Sequence, residues 1–211
     1  LNVKTPNTAA VCAGTTVSAT FNSGSGGTGC ADDYVVIIDG GSPAAYTPGN
    51  PVGGSANTSI VIQGRRANCD AGSGCTGTSY TTLASWTVNA VPNAGTISGT
   101  MTVYEGFTTP LSSNGDPGGT WSSDDTNIAT VNPATGLVAG VLAGTATITY
   151  TVTESGCTSS TSVVVTVVEV GDLVLTIDPP ATAECGEEIT VDVVVNEGFV
   201  NLTSLIYFIN W

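Results

Sequence analysis

The sequence predicts an all-β protein of tandem β-sandwich units with an incomplete β unit on its C-terminal side. Three observations carry the prediction: a composition hostile to helices, short β-like runs separated by glycine-rich turns, and an internal repeat. Thr and Ser make up about a quarter of the chain and Gly numbers 27, whereas helix formers such as Lys, Arg, Met and Gln are almost absent, with Lys and Arg totalling 3 and Met occurring once. A length of 211 residues accommodates two small domains, each with its own core, plus a fragment.

The repeat sets the organisation. Val11-Cys12-Ala13-Gly14-Thr15-Thr16 returns as Val103-Tyr104-Glu105-Gly106-Phe107-Thr108 and more faintly as Glu184-Cys185-Gly186-Glu187. Ser73-Gly74-Cys75-Thr76 returns as Ser155-Gly156-Cys157-Thr158. Three units therefore begin alike, and the first two share a late loop.

The first unit, residues 1–91, has β-like runs at 15–21, 34–38, 59–64 and 80–88, with glycine-rich turns at 23–29 and 39–42. In its last run Ala84, Trp86 and Val88 fall on one face, which is assigned to the core. After the junction Val91-Pro92-Asn93-Ala94-Gly95, the second unit occupies 92–170, with runs at 108–112, 119–122, 128–131, 137–139, 145–152 and 161–168. Between 145 and 152, Ala146, Ile148, Tyr150 and Val152 alternate with four threonines, so one face is buried and the other wet. Residues 171–211 hold three further runs (173–177, 189–195 and 205–211), too few to close a sandwich.

Charge narrows the function classes. Seventeen carboxylates face three cations (Lys4, Arg65, Arg66) and no histidine, a formal net charge of −14. Such a chain repels phosphate backbones and anionic lipid headgroups, so neither nucleic acid nor direct membrane insertion is expected. No apolar run approaches the ~20 residues of a membrane helix; the longest, 162–170, is interrupted by Thr166 and reads as a strand. Because the chain opens on Leu1 without a signal peptide, it is read as a processed or cropped product. Six cysteines without histidine match no zinc pattern and point to disulfides in an oxidising, extracellular setting.

Candidate chemistry is thin. Gly24-Ser25-Gly26-Gly27-Thr28-Gly29 and Gly72-Ser73-Gly74-Cys75-Thr76-Gly77 have dinucleotide-loop spacing but open no helix, so both are read as hairpin loops. Without histidine the Ser-His-Asp and Cys-His systems are excluded. Asp124-Asp125 and Glu187-Glu188 are adjacent pairs, and neighbours on a strand point to opposite faces, so they do not converge as a glycosidase pair. No enzyme activity, catalytic residue or cofactor is expected. Weak calcium binding is the one metal reading, because Asp32-Asp33, Asp70 and Asp124-Asp125 are placed in loops, although at no established calcium-loop spacing. For Arg65-Arg66 the expectation is one arginine paired with a carboxylate and one solvated. Trp86 and Trp121 fall on core faces rather than on an exposed sugar platform, and Trp211 belongs to the unfinished unit.

The second unit resembles the bacterial Ig-like group 2 domain, a family found in adhesins of the invasin and intimin type and in long bacterial surface proteins. The residues that carry the resemblance are Gly119-Thr120-Trp121-Ser122-Ser123-Asp124, Ile128-Ala129-Thr130-Val131, Gly136-Leu137-Val138-Ala139-Gly140 and Ala143-Gly144-Thr145-Ala146-Thr147-Ile148, in the family's order. The first unit is similar to related Ig-like or PKD-like repeats of Bacteroidetes through Cys12-Ala13-Gly14, Asp39-Gly40-Gly41, Arg65-Arg66 and Ser85-Trp86-Thr87-Val88. The third resembles the opening of a cohesin-like domain through Ile189-Thr190-Val191-Asp192-Val193 and Ile206-Tyr207-Phe208-Ile209-Asn210-Trp211. Tandem immunoglobulin-like β-sandwiches are thereby implied.

Immunoglobulin-like topology orders the cysteines. Cys30 and Cys69 fall in loops at one end of unit one and are expected to pair; Cys12 falls at the other end, ~25 Å away along the strand and outside disulfide reach. Its expected partner is Cys157 of the second unit, which leaves Cys185 to bond Cys75 of a following copy. The alternatives are Cys12–Cys75 within unit one and Cys157–Cys185. Two function classes follow: a structural segment of a secreted bacterial surface protein, forming a rigid stalk or filament from copies of itself joined head to tail, or a ligand-binding adhesin or carbohydrate-binding segment whose glycan or matrix ligand the sequence does not name. With only Lys4, Arg65 and Arg66 as trypsin targets, the folded chain is expected to survive trypsin largely intact on a denaturing gel; rapid cleavage at Arg65 or Arg66 that splits the chain in two would contradict this.

Overall fold

The computed structural model describes residues 3–22, 31–67 and 78–170, and among these there is no helix. The first sandwich consists of β1 (Val3–Thr5), β2 (Ala10–Cys12), β3 (Thr16–Thr20), β4 (Ala31–Ile38), β5 (Ala44–Ala45), β6 (Val52–Gly53), β7 (Thr58–Ala67) and β8 (Thr81–Asn89). They form a five-stranded sheet in the order β2-β8-β7-β4-β5 and a three-stranded sheet β1-β3-β6. Each long strand buries alternate residues, and Val17, Ala19, Ile60, Ile62, Ala84, Trp86 and Val88 form the core with Val11 and Tyr46. Two polar tips within it are satisfied: Trp86 Nε1–H donates to the Pro6 carbonyl at 3.0 Å, and the Tyr46 hydroxyl accepts the Ala19 N–H at 2.9 Å.

The second sandwich consists of β9 (Ile97–Gly99), β10 (Thr102–Tyr104), β11 (Thr108–Ser113), β12 (Thr120–Ser123), β13 (Ala129–Val131), β14 (Leu137–Gly140), β15 (Gly144–Glu154) and β16 (Cys157–Val168). Its sheets run β10-β16-β15-β12 and β13-β14-β11-β9. The alternation along β15 is realised, with Ala146, Ile148, Tyr150 and Val152 buried. Trp121, Val138 and Val165 are buried as well, and Thr109, the one buried polar residue among the described residues, donates through its hydroxyl to the Thr100 carbonyl at 3.1 Å. The chain is thus all-β, built of tandem immunoglobulin-like sandwiches. The expected incomplete C-terminal unit falls on residues 171–211, outside the described residues.

The sequence repeat has a structural meaning. Val11 and Val103 sit in short strands that pair in parallel with the last strand of their own sandwich, Val11 opposite Val88 and Val103 opposite Val167. A tight turn follows in each, closed by Thr15 N–H to Cys12 O and by Phe107 N–H to Tyr104 O, both at 3.0 Å. Gly14 and Gly106 occupy these turns at φ of 87° and 77°, where a side chain is strained. The repeat therefore encodes the crossing from one sheet to the other.

By compactness the chain falls into two units. One takes the described residues of Leu1–Thr96 with Ser113–Thr120 and Tyr150–Thr161; the other takes Ile97–Ser112, Trp121–Thr149 and the described residues of Ser162–Trp211. Neighbouring valines on β16 test the facing of that strand, since Val165 is 0% exposed and Val164 56%. Val165→Ala is expected to cost about 2–3 kcal/mol in urea unfolding and Val164→Ala less than about 1 kcal/mol. Equal costs would contradict the assignment.

Candidate functional site

The densest cluster of charge grows from strand register. Antiparallel β4 and β7 set Asp32 opposite Arg66 and Asp33 opposite Arg65. Because successive residues on a strand point to opposite faces, a carboxylate doublet against a guanidinium doublet makes one ion pair on each side of the sheet. Arg66 Nη1 lies 2.8 Å from Asp32 Oδ1, and Arg65 Nε lies 2.9 Å from Asp33 Oδ2. Asp32-Asp33 are therefore strand residues rather than loop ligands, and the expectation of one solvated arginine is corrected: both are paired. Cross-strand pairing is non-local, which is why inspection of either doublet alone missed it.

On the Arg65 face, Tyr80 completes a small network. Its hydroxyl donates to Asp33 Oδ2 at 2.6 Å, and the Arg65 guanidinium stacks 4.4 Å from its ring centroid. The Tyr80 hydroxyl, and then the Arg65 guanidinium, hold the Asp33 carboxyl below the usual value, while the bond to Asp33 raises the phenol. On the other face Phe21 stacks on Tyr34, with centroids 5.1 Å apart and planes 18° from parallel. Burial and then the nearby Asp32 charge raise the Tyr34 phenol. Beside these rings runs a groove of about 230 Å³, lined by Phe21, Tyr34, Arg66, Thr78 and Leu83 among others. Gly64 belongs there because a Cβ would stand 2.6 Å from Leu83 Cδ1.

Lys4 is engaged too. Its ammonium donates to the Ser85 carbonyl at 2.6 Å and lies 4.9 Å from the Trp86 ring centroid. In the turn after β12, Asp124 and Asp125 both serve the local backbone. Asp124 accepts the Thr147 N–H at 2.7 Å, and Asp125 accepts the Asn127 N–H at 2.9 Å. Hydrogen bonds from Thr147 lower the Asp124 carboxyl. Among the described residues no three His, Cys, Asp or Glu side chains converge as a metal site. Asp70, Glu187-Glu188 and both glycine-rich loops lie outside the described residues.

The remaining constellation is covalent. Cys12, at the end of β2, is bonded to Cys157, at the start of β16, with Cα atoms 5.6 Å apart and a separation of 145 in sequence. Beside it the Asn89 amide donates to the Ser155 carbonyl at 2.7 Å. The junction is gripped in the same compact unit: Asn93 N–H donates to the Asp116 carboxylate and Asp116 N–H returns to the Asn93 carbonyl, both at 2.7 Å. Thr96 N–H donates to Asn114 Oδ1 at 2.7 Å, and Ala94 is only 2% exposed. Sequence reasoning missed Asn89, Asn93, Asn114 and Asp116; asparagine and aspartate flanking a Pro-Gly junction were the available signal. Cys30, Cys69, Cys75 and Cys185, with their expected pairings, lie outside the described residues.

Residues 94–165 match the bacterial Ig-like domain (group 2) family. That stretch carries β9 to most of β16 and agrees with the resemblance read from its motifs. No curated protein matches the chain. Among solved structures, the chain is similar to a C-terminal 282-residue fragment of intimin in complex with the translocated intimin receptor (Tir) intimin-binding domain, at 14% identity and a TM-score of 0.42. The likeness covers 72% of this chain and 57% of that one, so the chain spans less than two thirds of the intimin fragment. Domains 4 and 5 of the S-layer protein SbsC are similar at 20% identity and a TM-score of 0.24, over 72% of this chain and 82% of that one. SbsC domains 4–9 are similar at 20% identity and a TM-score of 0.25, over 80% of this chain and 29% of that one. The PKD-like and cohesin-like resemblances have no counterpart among these matches.

The Asp33 network has a pH signature. A carboxyl lowered in the folded state contributes stability that is present above its ordinary value of 3.8 and is lost as pH falls through the lowered folded value. NMR titration is expected to place the Asp33 midpoint below 3.8, and Asp33→Asn to flatten the acid limb of the stability curve. A midpoint at or above the ordinary value would contradict the network.

Proposed function

We propose that this chain is a non-enzymatic structural segment of a secreted bacterial surface protein, in which immunoglobulin-like sandwiches act as spacers that hold distance and orientation. The observation that supports it most is the Cys12–Cys157 disulfide, which ties β2 to β16 at a sequence separation of 145. A binding or catalytic module needs convergent polar groups in a cleft; here Arg65 and Arg66 are directed at Asp33 and Asp32 and Lys4 at a backbone carbonyl, and the bonds at Asn89, Asn93 and Asp116 restrain the chain around the disulfide. Disulfide use also favours an oxidising, extracellular location. The group 2 match over 94–165 fits such a setting. Head-to-tail joining of copies, with a Cys185–Cys75 bond, would extend the same design and rests on residues outside the described part.

The disulfide gives the test. A loop this long is expected to contribute about 2–5 kcal/mol. The Cys12→Ser/Cys157→Ser variant should melt at a lower temperature and lose its resistance to a broad-specificity protease. If the variant matches the parent in both, or if the parent chain captures a glycan or matrix protein through the β4–β7 groove, the spacer reading fails.

A further inference from the structure

The described residues leave nine large apolar side chains exposed, and four of them, Phe107 (55%), Val141 (50%), Leu142 (57%) and Val170 (37%), belong to one corner of the second sandwich. The backbone brings three stretches together there. Gly106 N–H donates to Gly140 O and Gly140 N–H donates to Phe107 O, both at 3.0 Å, which sets Phe107 beside Val141-Leu142. Glu105 N–H donates to Val168 O at 3.0 Å, which brings the outgoing chain to the same place two residues before Val170. Glu105 also fastens the neighbouring turn by accepting the Ala143 N–H through Oε1 at 2.6 Å. Phe107, Val141 and Leu142 thus project from a hydrogen-bonded base.

The repeat says what such a corner is for. Tyr104-Glu105-Gly106 occupies the place that Cys12-Ala13-Gly14 occupies in the first sandwich: Ala13 N–H donates to Asn89 O at 2.9 Å as Glu105 N–H does to Val168 O. In that earlier corner Cys12 and Asn89 are both engaged, through the disulfide to Cys157 and the bond to Ser155, by a turn that comes later in the chain. The later corner has no cysteine and presents apolar surface instead. Forty-one residues follow Val170, rich in Val, Ile, Leu and Phe and without a single Lys or Arg.

We propose that the Phe107, Val141, Leu142 and Val170 corner is the seat of the next unit of the same chain, covered by apolar side chains from residues 171–211. Attachment is hydrophobic and not ionic, because that segment holds seven of the chain's 17 carboxylates and none of its three cations, and the part it would cover is itself acidic. The inference goes beyond the spacer reading and survives its failure, since it concerns which surface is covered, not what the protein serves.

Hydroxyl-radical footprinting of the whole 211-residue chain, each side chain referenced to the chain in urea, tests it. Phe107 and Leu142 are expected to oxidise at least about fivefold more slowly, relative to that reference, than Val164, which is equally exposed on the outer face of β16. The protection should be independent of protein concentration and should persist at high salt. Leu142→Asp, or Leu142→Ser should the charge impair folding, is expected to release Phe107 to the Val164 level while Trp121 fluorescence stays unchanged. Protection of Phe107 and Leu142 no greater than that of Val164 would overturn the proposal. So would protection that grows with concentration, which would assign the corner to a second copy.

Discussion

Everything in this fold depends on the two-residue alternation of the pleated strand in a sequence with little charge to spend on its outer faces. With three cations in the chain, the wet sides of β8, β15 and β16 are drawn largely with Thr and Ser. These residues suit extended backbone and carry a hydroxyl that water can solvate. The buried sides then need only apolar residues of the right volume, among them Trp86 and Ile60 in one sandwich and Trp121 and Ile148 in the other. A one-residue slip would expose each of these sets to water, so the register is enforced by burial itself.

Against that background the charged residues act as local fasteners. Asp32 and Asp33 lock the open end of the β4–β7 ladder through Arg66 and Arg65, and Asp116 closes on Asn93. Asp124 secures Thr147, and Glu105 secures Ala143. Each of these carboxylates meets a donor delivered by the backbone or by a cross-strand partner, a use of acidity that needs neither metal nor substrate. Tyr46 and Tyr150 play a related part, since their rings fill the cores while their hydroxyls bond Ala19 and Gly119.

What could be read from the sequence was what period and punctuation encode. The alternation through Ala146, Ile148, Tyr150 and Val152 placed β15, and Trp86 with Ala84 and Val88 placed β8, because long strands repeat their signal several times. Short strands repeat nothing: β1, β2, β5, β6, β9 and β10, of two or three residues each, exist because a longer neighbour offers them hydrogen bonds. Asp32-Asp33 looked like a loop because two adjacent carboxylates disfavour a strand in isolation, and the arginines that neutralise them stand more than thirty positions away. The same non-locality hid Tyr80 from view. The expectation that Cys12 lies opposite Cys157 came from topology, and the structure bonds those two residues, but no local pattern around Cys12 named its partner.

The position of that disulfide has a mechanical corollary. Pulled from its two ends, the chain carries load from residue 3 to Cys12, across the sulfur–sulfur bond to Cys157, and onward through β16. Residues between the two cysteines hang on a closed loop in parallel with the load. Roughly 500 Å of contour, at about 3.5 Å per extended residue, is therefore withheld from extension while the bond is intact. The pairing of β1 with β3, the short parallel contact of β2 with β8 and the residues after Cys157 remain in the line of force, so a flow that would unravel an ordinary string of sandwiches meets a covalent short circuit.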